Sequence, residues 1–173
     1  KCHHPAVFCC ALLNSQPMGF YAPAQLVRDA IEHGVDVRPV DVNASDWDNL
    51  LERRDDGLMA LRLGFRQIDG FKDKWAPKIQ QSRAADGPFT SVENIARRAG
   101  LPPRALNLLA DADAMRSLGH GRREALWEVR RTPTEELPLF AAARARELGE
   151  EPAIALRPMS QGEQVAADYQ THR

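Results

Sequence analysis

The sequence has no run of some 18 apolar residues, which excludes a membrane-spanning helix. It also has no basic start followed by an apolar core and a small-residue cleavage site, the pattern of a secretory signal. Cysteine is scarce. The three present, Cys2, Cys9 and Cys10, crowd into one N-terminal apolar stretch rather than forming the spaced even set of a secreted disulfide scaffold, so a reducing cytoplasm fits. No nucleophile has an attendant base, the five histidines are scattered, and the carboxylates lack a setting that would assemble a two-metal site. On its own residues the chain is not an enzyme. The sequence starts at Lys1 rather than methionine, in what reads as the middle of a helix, so a piece of a larger protein is expected.

With 43% apolar and 27% charged residues, the 173-residue chain has an ordinary soluble composition and can bury one core or two small ones. Its net charge of −1 hides a segregation. Residues 1–61 hold five Lys/Arg against nine Asp/Glu, residues 62–131 fourteen against eight, and residues 132–173 four against seven. The balance runs −4, +6, −3. A basic middle between acidic flanks is an electrostatic footprint for nucleic acid, although a solvated helical surface produces the same count.

Within that middle, Ile68-Asp-Gly-Phe-Lys-Asp-Lys-Trp-Ala-Pro-Lys-Ile79 has the pattern of a helix-hairpin-helix. Gly70 supplies a turn with φ > 0, Phe71 follows as the apolar residue, and the next helix begins with free N–H groups that can face a phosphate. Lys72, Lys74 and Lys78 add positive charge. The motif's usual second glycine is replaced by Lys72, which resists a left-handed turn. The pattern alone suits a DNA contact and a plain helical corner equally. Thirty residues on, Gly100-Leu101 echoes Gly70-Phe71 and Leu109 echoes Ile79, which makes the middle two imperfect copies of one unit.

The rest reads as mainly α. Helices are expected over Pro5–Gln16 and Pro23–His33, each opened by proline, followed by a short strand at Val35–Val40. Trp47–Arg53 and Leu58–Leu63 flank Asp56-Gly57 as a β-hairpin. Further helices are expected over Lys74–Ala85, Ser91–Ala99, Arg104–Asp111 and Gly121–Arg131. From Thr132 onward the composition reads as a linker with one helix at Phe140–Leu148. The domain division is therefore 1–61, 62–131 and 132–173, the last a linker or tail.

Two constellations invite metals. Cys2, His3, His4, Cys9 and Cys10 are zinc-type ligands, but they lack a CxxC, and a cysteine on an apolar helix behaves as a small hydrophobe. Asp41, Asn43, Ser45 and Glu52 imitate calcium-loop spacing, with Asp46 where a glycine is required. An Asn/Asp/Ser turn explains them equally. Glu136-Leu137-Pro138-Leu139-Phe140 is an apolar peptide in a polar stretch, suited to a partner's pocket or to folding back on its own core.

Residues 1–21 (KCHHPAVFCCALLNSQPMGFY), 38–45 (RPVDVNAS) and 61–70 (LRLGFRQIDG) closely resemble bacterial C-family DNA polymerases, the replicative alpha-subunit type, and best their error-prone, damage-tolerant branch. The likeness runs through nearly the whole chain and weakens after about Gly149. It implies that residues 1–61 are the distal fingers, a helical remnant with a small β-hairpin, followed by a tandem helix-hairpin-helix that holds duplex DNA behind the active site. The metal-binding palm aspartates lie upstream. This fragment then carries no catalytic residue and no cofactor, while Mg2+ is expected for the parent polymerase. The DNA-binding residues implied are Gly70, Phe71, Lys72, Lys74, Lys78, Arg104, Arg122 and Arg123, with Arg97 and Arg98 behind them. Leu137, Leu139 and Phe140 stand where the replicative branch has a Gln-Leu-x-Leu-Phe clamp peptide, with Glu136 in the glutamine's place. A sliding clamp and accessory translesion proteins are the partners this suggests, and no membrane. A protein-interaction module using the same scaffold without touching DNA is the alternative.

Overall fold

The computed structural model describes residues 3–17, 19, 21–132 and 156–172. Leu137, Leu139, Phe140 and the helix expected at Phe140–Leu148 lie outside them. Among the described residues there are seven α-helices and one three-stranded sheet, so the chain is mainly helical.

Proline opens α1 (Pro5–Asn14) and α2 (Pro23–Glu32), where its missing N–H costs nothing. The strand expected at Val35–Val40 is the two-residue β1 (Val37–Arg38). The Asp-Gly turn joins β2 (Leu50–Arg53) to β3 (Met59–Arg62) as the predicted hairpin, with Gly57 at φ +82°. β3 lies in the centre. It pairs antiparallel with β2, Leu51 opposite Leu61, and parallel with β1, Val37 opposite Leu61. Trp47, expected in the first strand, instead packs against the helical core. Helices α1 and α2 cover the sheet around a small core that includes Cys9, Cys10, Leu13 and Leu61.

The larger core belongs to α3 (Ala76–Asp86), α4 (Val92–Ala99), α5 (Pro103–Asp111) and α6 (Arg122–Arg131). It also takes in Val40 and Val42 from before residue 62, and Phe65, Ile68, Phe71 and Trp75 from the segment leading into α3. The helix expected from Lys74 begins as a 3-10 turn over Asp73–Trp75, and the segment before Ile68 is only a 3-10 turn, Phe65–Gln67.

Polar side chains join the two cores. Asn49 is buried; its amide oxygen accepts the Gly64 N–H (3.0 Å), and Asn14 at the end of α1 accepts the Asn49 N–H (2.8 Å). Arg66 donates to the carbonyls of Asn14 and Gln16, which the end of α1 leaves without helical partners.

Beyond the linker or tail with one helix at Phe140–Leu148 that the sequence suggests, the structure has a helix the sequence did not lead one to expect. Residues 161–171 form α7 (Gln161–Thr171), started by a capping box in which Ser160 Oγ accepts the Glu163 N–H and Glu163 accepts the Ser160 N–H. Apolar periodicity failed to show this helix because α7 is held by ion pairs and backbone bonds rather than by a buried apolar stripe.

Across the sheet, Glu52 on β2 accepts from Arg62 (2.7 Å) and Arg38 (2.5 Å). The Arg62 hydrogen bond, aided by Arg38 and opposed by burial, holds the Glu52 carboxyl below its ordinary 4.5. Its contribution to stability is therefore complete above that value and is lost as the pH falls through the lowered folded pKa. Glu52→Gln should cost about 1 kcal/mol at neutral pH, because the pair keeps some access to water. In urea melts at neutral and acidic pH, the gap between variant and wild type should close at the acidic end.

Candidate nucleic-acid interface

The two turns share one backbone conformation. Gly70 and Gly100 have φ of +73° and +55°, the left-handed region that glycine enters freely. Two residues on, Lys72 (φ −96°, ψ 138°) and Pro102 (φ −69°, ψ 155°) are both extended. The missing second glycine therefore costs no strain, since neither copy needs φ > 0 there. Burial repeats at the same 30-residue offset, with Phe71, Trp75, Ala76 and Ile79 answering to Leu101, Ala105, Leu106 and Leu109 in the core.

The copies also touch reciprocally. A side chain on Gly70 would lie 3.9 Å from Leu108 Cδ1 and 3.9 Å from Arg104 Nη2. At the equivalent place in the other copy, Lys78 donates to the Gly100 carbonyl at 3.4 Å. Lys78 and Leu108 are equivalent positions, so each helix abuts the other copy's turn. Lys78 and Arg104 are thereby brought beside the two turns, close to Lys72 and Lys74 in the first. All four are exposed, and none makes an ion pair among the described residues. Lys72 Nζ lies 5.7 Å from the centre of the Trp75 ring. Asp73, which the sequence reading passed over, accepts the Lys74 N–H at 2.6 Å and puts one carboxylate among these cations. An acidic residue in the first helical turn was the available signal.

Other expected residues are placed differently. Phe71 is only 4% exposed and packs between Phe65 (5.4 Å between ring centres) and Trp75 (5.1 Å, edge-on). It anchors the turn and presents no face to a ligand. Arg122 is 7% exposed and paired with Asp168 of α7. Arg123 pairs with Glu163 at 2.8 Å and donates to the Arg157 carbonyl. The charge count could not foresee these pairs, because their acidic partners lie about 40 residues away in sequence. Arg98 donates to the carbonyls of Ser82 (2.6 Å) and Gly87 (2.8 Å) and lies over the Phe89 ring, tying the end of α3 to α4. Arg97 is exposed on α4.

Of the metal-type ligands read from the sequence, Cys2 lies outside the described residues. No three His, Cys, Asp or Glu side chains come together for one among the described residues. Glu52 is taken by its arginines, Asp41 accepts the Asn43 and Ser117 N–H groups, and Asn43 Nδ2 donates to the Phe89 carbonyl. Cys9 donates to the Leu26 carbonyl and Cys10 to that of Asn49. Burial pushes the Cys9 thiol up to about 11, so it is protonated and a poor ligand at neutral pH. Alkylation of Cys9 and Cys10 at pH 8, followed by peptide mass spectrometry, should be on the order of a hundredfold slower in the folded chain than in denaturant.

Two glycine turns set reciprocally between short helices, with lysines beside them, define a helix-hairpin-helix protein, and the helix-hairpin-helix family description matches residues 34–125. The chain belongs to that family. Over its full length it is also 59% identical to the error-prone DNA polymerase of Brucella abortus biovar 1 (strain 9-941) and 56% identical to that of Rhodopseudomonas palustris (strain HaA2), covering 16% of each. Against the error-prone DNA polymerase of Bradyrhizobium diazoefficiens it is 47% identical and covers 20%. The chain spans about a sixth of the length of the first two relatives. These identities show the likeness to error-prone C-family polymerases that the sequence suggested. No described helix is long and apolar enough to cross a membrane.

Proposed function

We propose that this chain provides a sequence-independent grip on the backbone of duplex DNA within an error-prone DNA polymerase that serves damage-tolerant synthesis and repair. One observation carries the reading. Arg38, Arg62, Arg66, Arg83, Arg98, Arg122 and Arg123 are all engaged in ion pairs, whereas Lys72, Lys74, Lys78 and Arg104, beside the two turns, make no ion pair among the described residues. Unpaired cations beside tight backbone turns suit phosphates and carry no base readout. Nucleotidyl transfer and its Mg2+ belong to the longer protein, in the cytoplasm. A sliding clamp or accessory translesion proteins at Leu137, Leu139 and Phe140 remain part of the proposal.

The test is a titration of fluorescent duplex DNA at several salt concentrations. Affinity should fall linearly on logarithmic axes, with a slope of about −0.9 per phosphate and roughly three to six phosphates engaged. Lys74→Ala and Arg104→Ala should each weaken binding equally for all sequences and flatten the slope by about one unit. Gly70→Val should do more damage, since a β-branched residue resists φ > 0. Affinity that is flat with salt would favour the protein-interaction alternative.

A further inference from the structure

The two hairpins differ in what leads into the turn. In the second, α4 is a full helix whose start is capped by Ser91 Oγ accepting the Asn94 N–H, and it delivers Gly100 with the Gly100 N–H bonded to the Ala96 carbonyl at 3.1 Å. In the first, only the 3-10 turn Phe65–Gln67 precedes Ile68, and nothing of helical length aims the chain at Gly70. Asp69 answers to Ala99 at the 30-residue offset. Ala99 lies inside α4, while Asp69 has no helix around it, and its N–H goes instead to the Thr171 carbonyl at 3.0 Å. Ile68 forms an antiparallel bridge with His172. The end of α7 thus supplies the backbone partner that a leading helix supplies in the other copy.

α7 is fastened in turn to the second hairpin's side of the molecule. Asp168 accepts from the buried Arg122, Arg122 also donates to the Gln164 carbonyl (3.3 Å), and Glu163 accepts from Arg123. The His172 N–H donates to the Asp168 carbonyl, so the residue that pairs with Arg122 is one helical turn from the residue that bridges Ile68. α7 therefore runs from α6 to the segment at Ile68 and Asp69 that enters the first turn.

We propose that residues 160–172 are a positioning segment for the DNA interface, standing in for the first hairpin's missing leading helix and fixing the direction in which Gly70, Lys72 and Lys74 are presented. This rests on the DNA-binding reading above. The segment begins well beyond residue 125, where the family match ends. Arg122 and Arg123 then serve DNA indirectly, by holding the brace.

Asp168→Ala in the 173-residue chain tests this, because it leaves Arg122 buried without its carboxylate. Without DNA, hydrogen exchange at the Asp69 amide should quicken by about tenfold or more, while Gly100 stays as it was. Duplex affinity should fall about threefold or more, although the variant has gained one net positive charge, which by itself tightens binding. Arg122→Met with Asp168→Leu, which replaces the pair by apolar packing, should restore both. If the alanine variant melts too early to use, Asp168→Asn is read in the same way. Unchanged exchange at Asp69 would overturn the brace. Faster exchange with affinity equal to or above wild type would make α7 a structural element only, and the proposal would fail. Wild-type binding that ignores salt would remove the DNA reading and this proposal with it, while the exchange result would still report separately on the brace.

Discussion

The arrangement depends on a left-handed glycine followed at once by a buried apolar residue, twice over. Gly70 and Gly100 reverse the chain, and Phe71 and Leu101 pin each reversal into the common core. With the apolar residue sunk in the core, the residues around it point outward, and in the first copy two of those are lysines. The reciprocal contacts, Lys78 against the second turn and Arg104 with Leu108 beside the first, follow from packing two similar units around one core. A side chain in place of the Gly70 hydrogen would meet backbone strain at φ +73°, while its Cβ would sit at ordinary contact distance from Leu108 and Arg104 of the facing helix.

Electrostatics then separates the cations by role. Arginine is the residue most often enlisted to hold parts of this molecule together, since its planar fork can reach several carbonyls and carboxylates at once. Arg66 ties α1 to the segment before the first turn, Arg83 reaches the Val42 and Ser45 carbonyls, and Arg98 closes the α3–α4 corner. Among the described residues the lysines beside the turns make no ion pair, and Lys78 makes a single carbonyl contact, to Gly100. Charge held in internal pairs is neutralised locally, so the basic excess of residues 62–131 is reduced to fewer cations, among them Lys72, Lys74, Lys78 and Arg104 beside the turns and the exposed Arg97 and Arg130.

The N-terminal third is packed around its own small core. Cys9 and Cys10 are buried in it, Asp41 accepts the backbone N–H groups of Asn43 and Ser117, and Asp46, Asp48 and Glu52 pair with Arg83, Arg66 and Arg62 from beyond it. Asn49, buried between the two cores, joins them through Asn14 and Gly64, which gives this third a fixed seat against the hairpins.

Much was legible in the sequence, because local rules govern it. Prolines opened helices, Asp56-Gly57 made the hairpin, Gly70 and Gly100 marked the turns, and the offset of 30 residues exposed the repeat. Each of these is a property of a few neighbouring residues. What only the tertiary structure decided was which cations remain available and what supports the first turn. Phe71 looked available for DNA and is core; Arg122 and Arg123 looked like phosphate ligands and hold α7; Lys72 looked strained and is extended. Those outcomes turn on partners about 40 residues away or more, such as Asp168 for Arg122 and Thr171 for Asp69. Charge pairing and backbone bridging act through distance in space, which the order of residues along the chain does not encode in any local pattern.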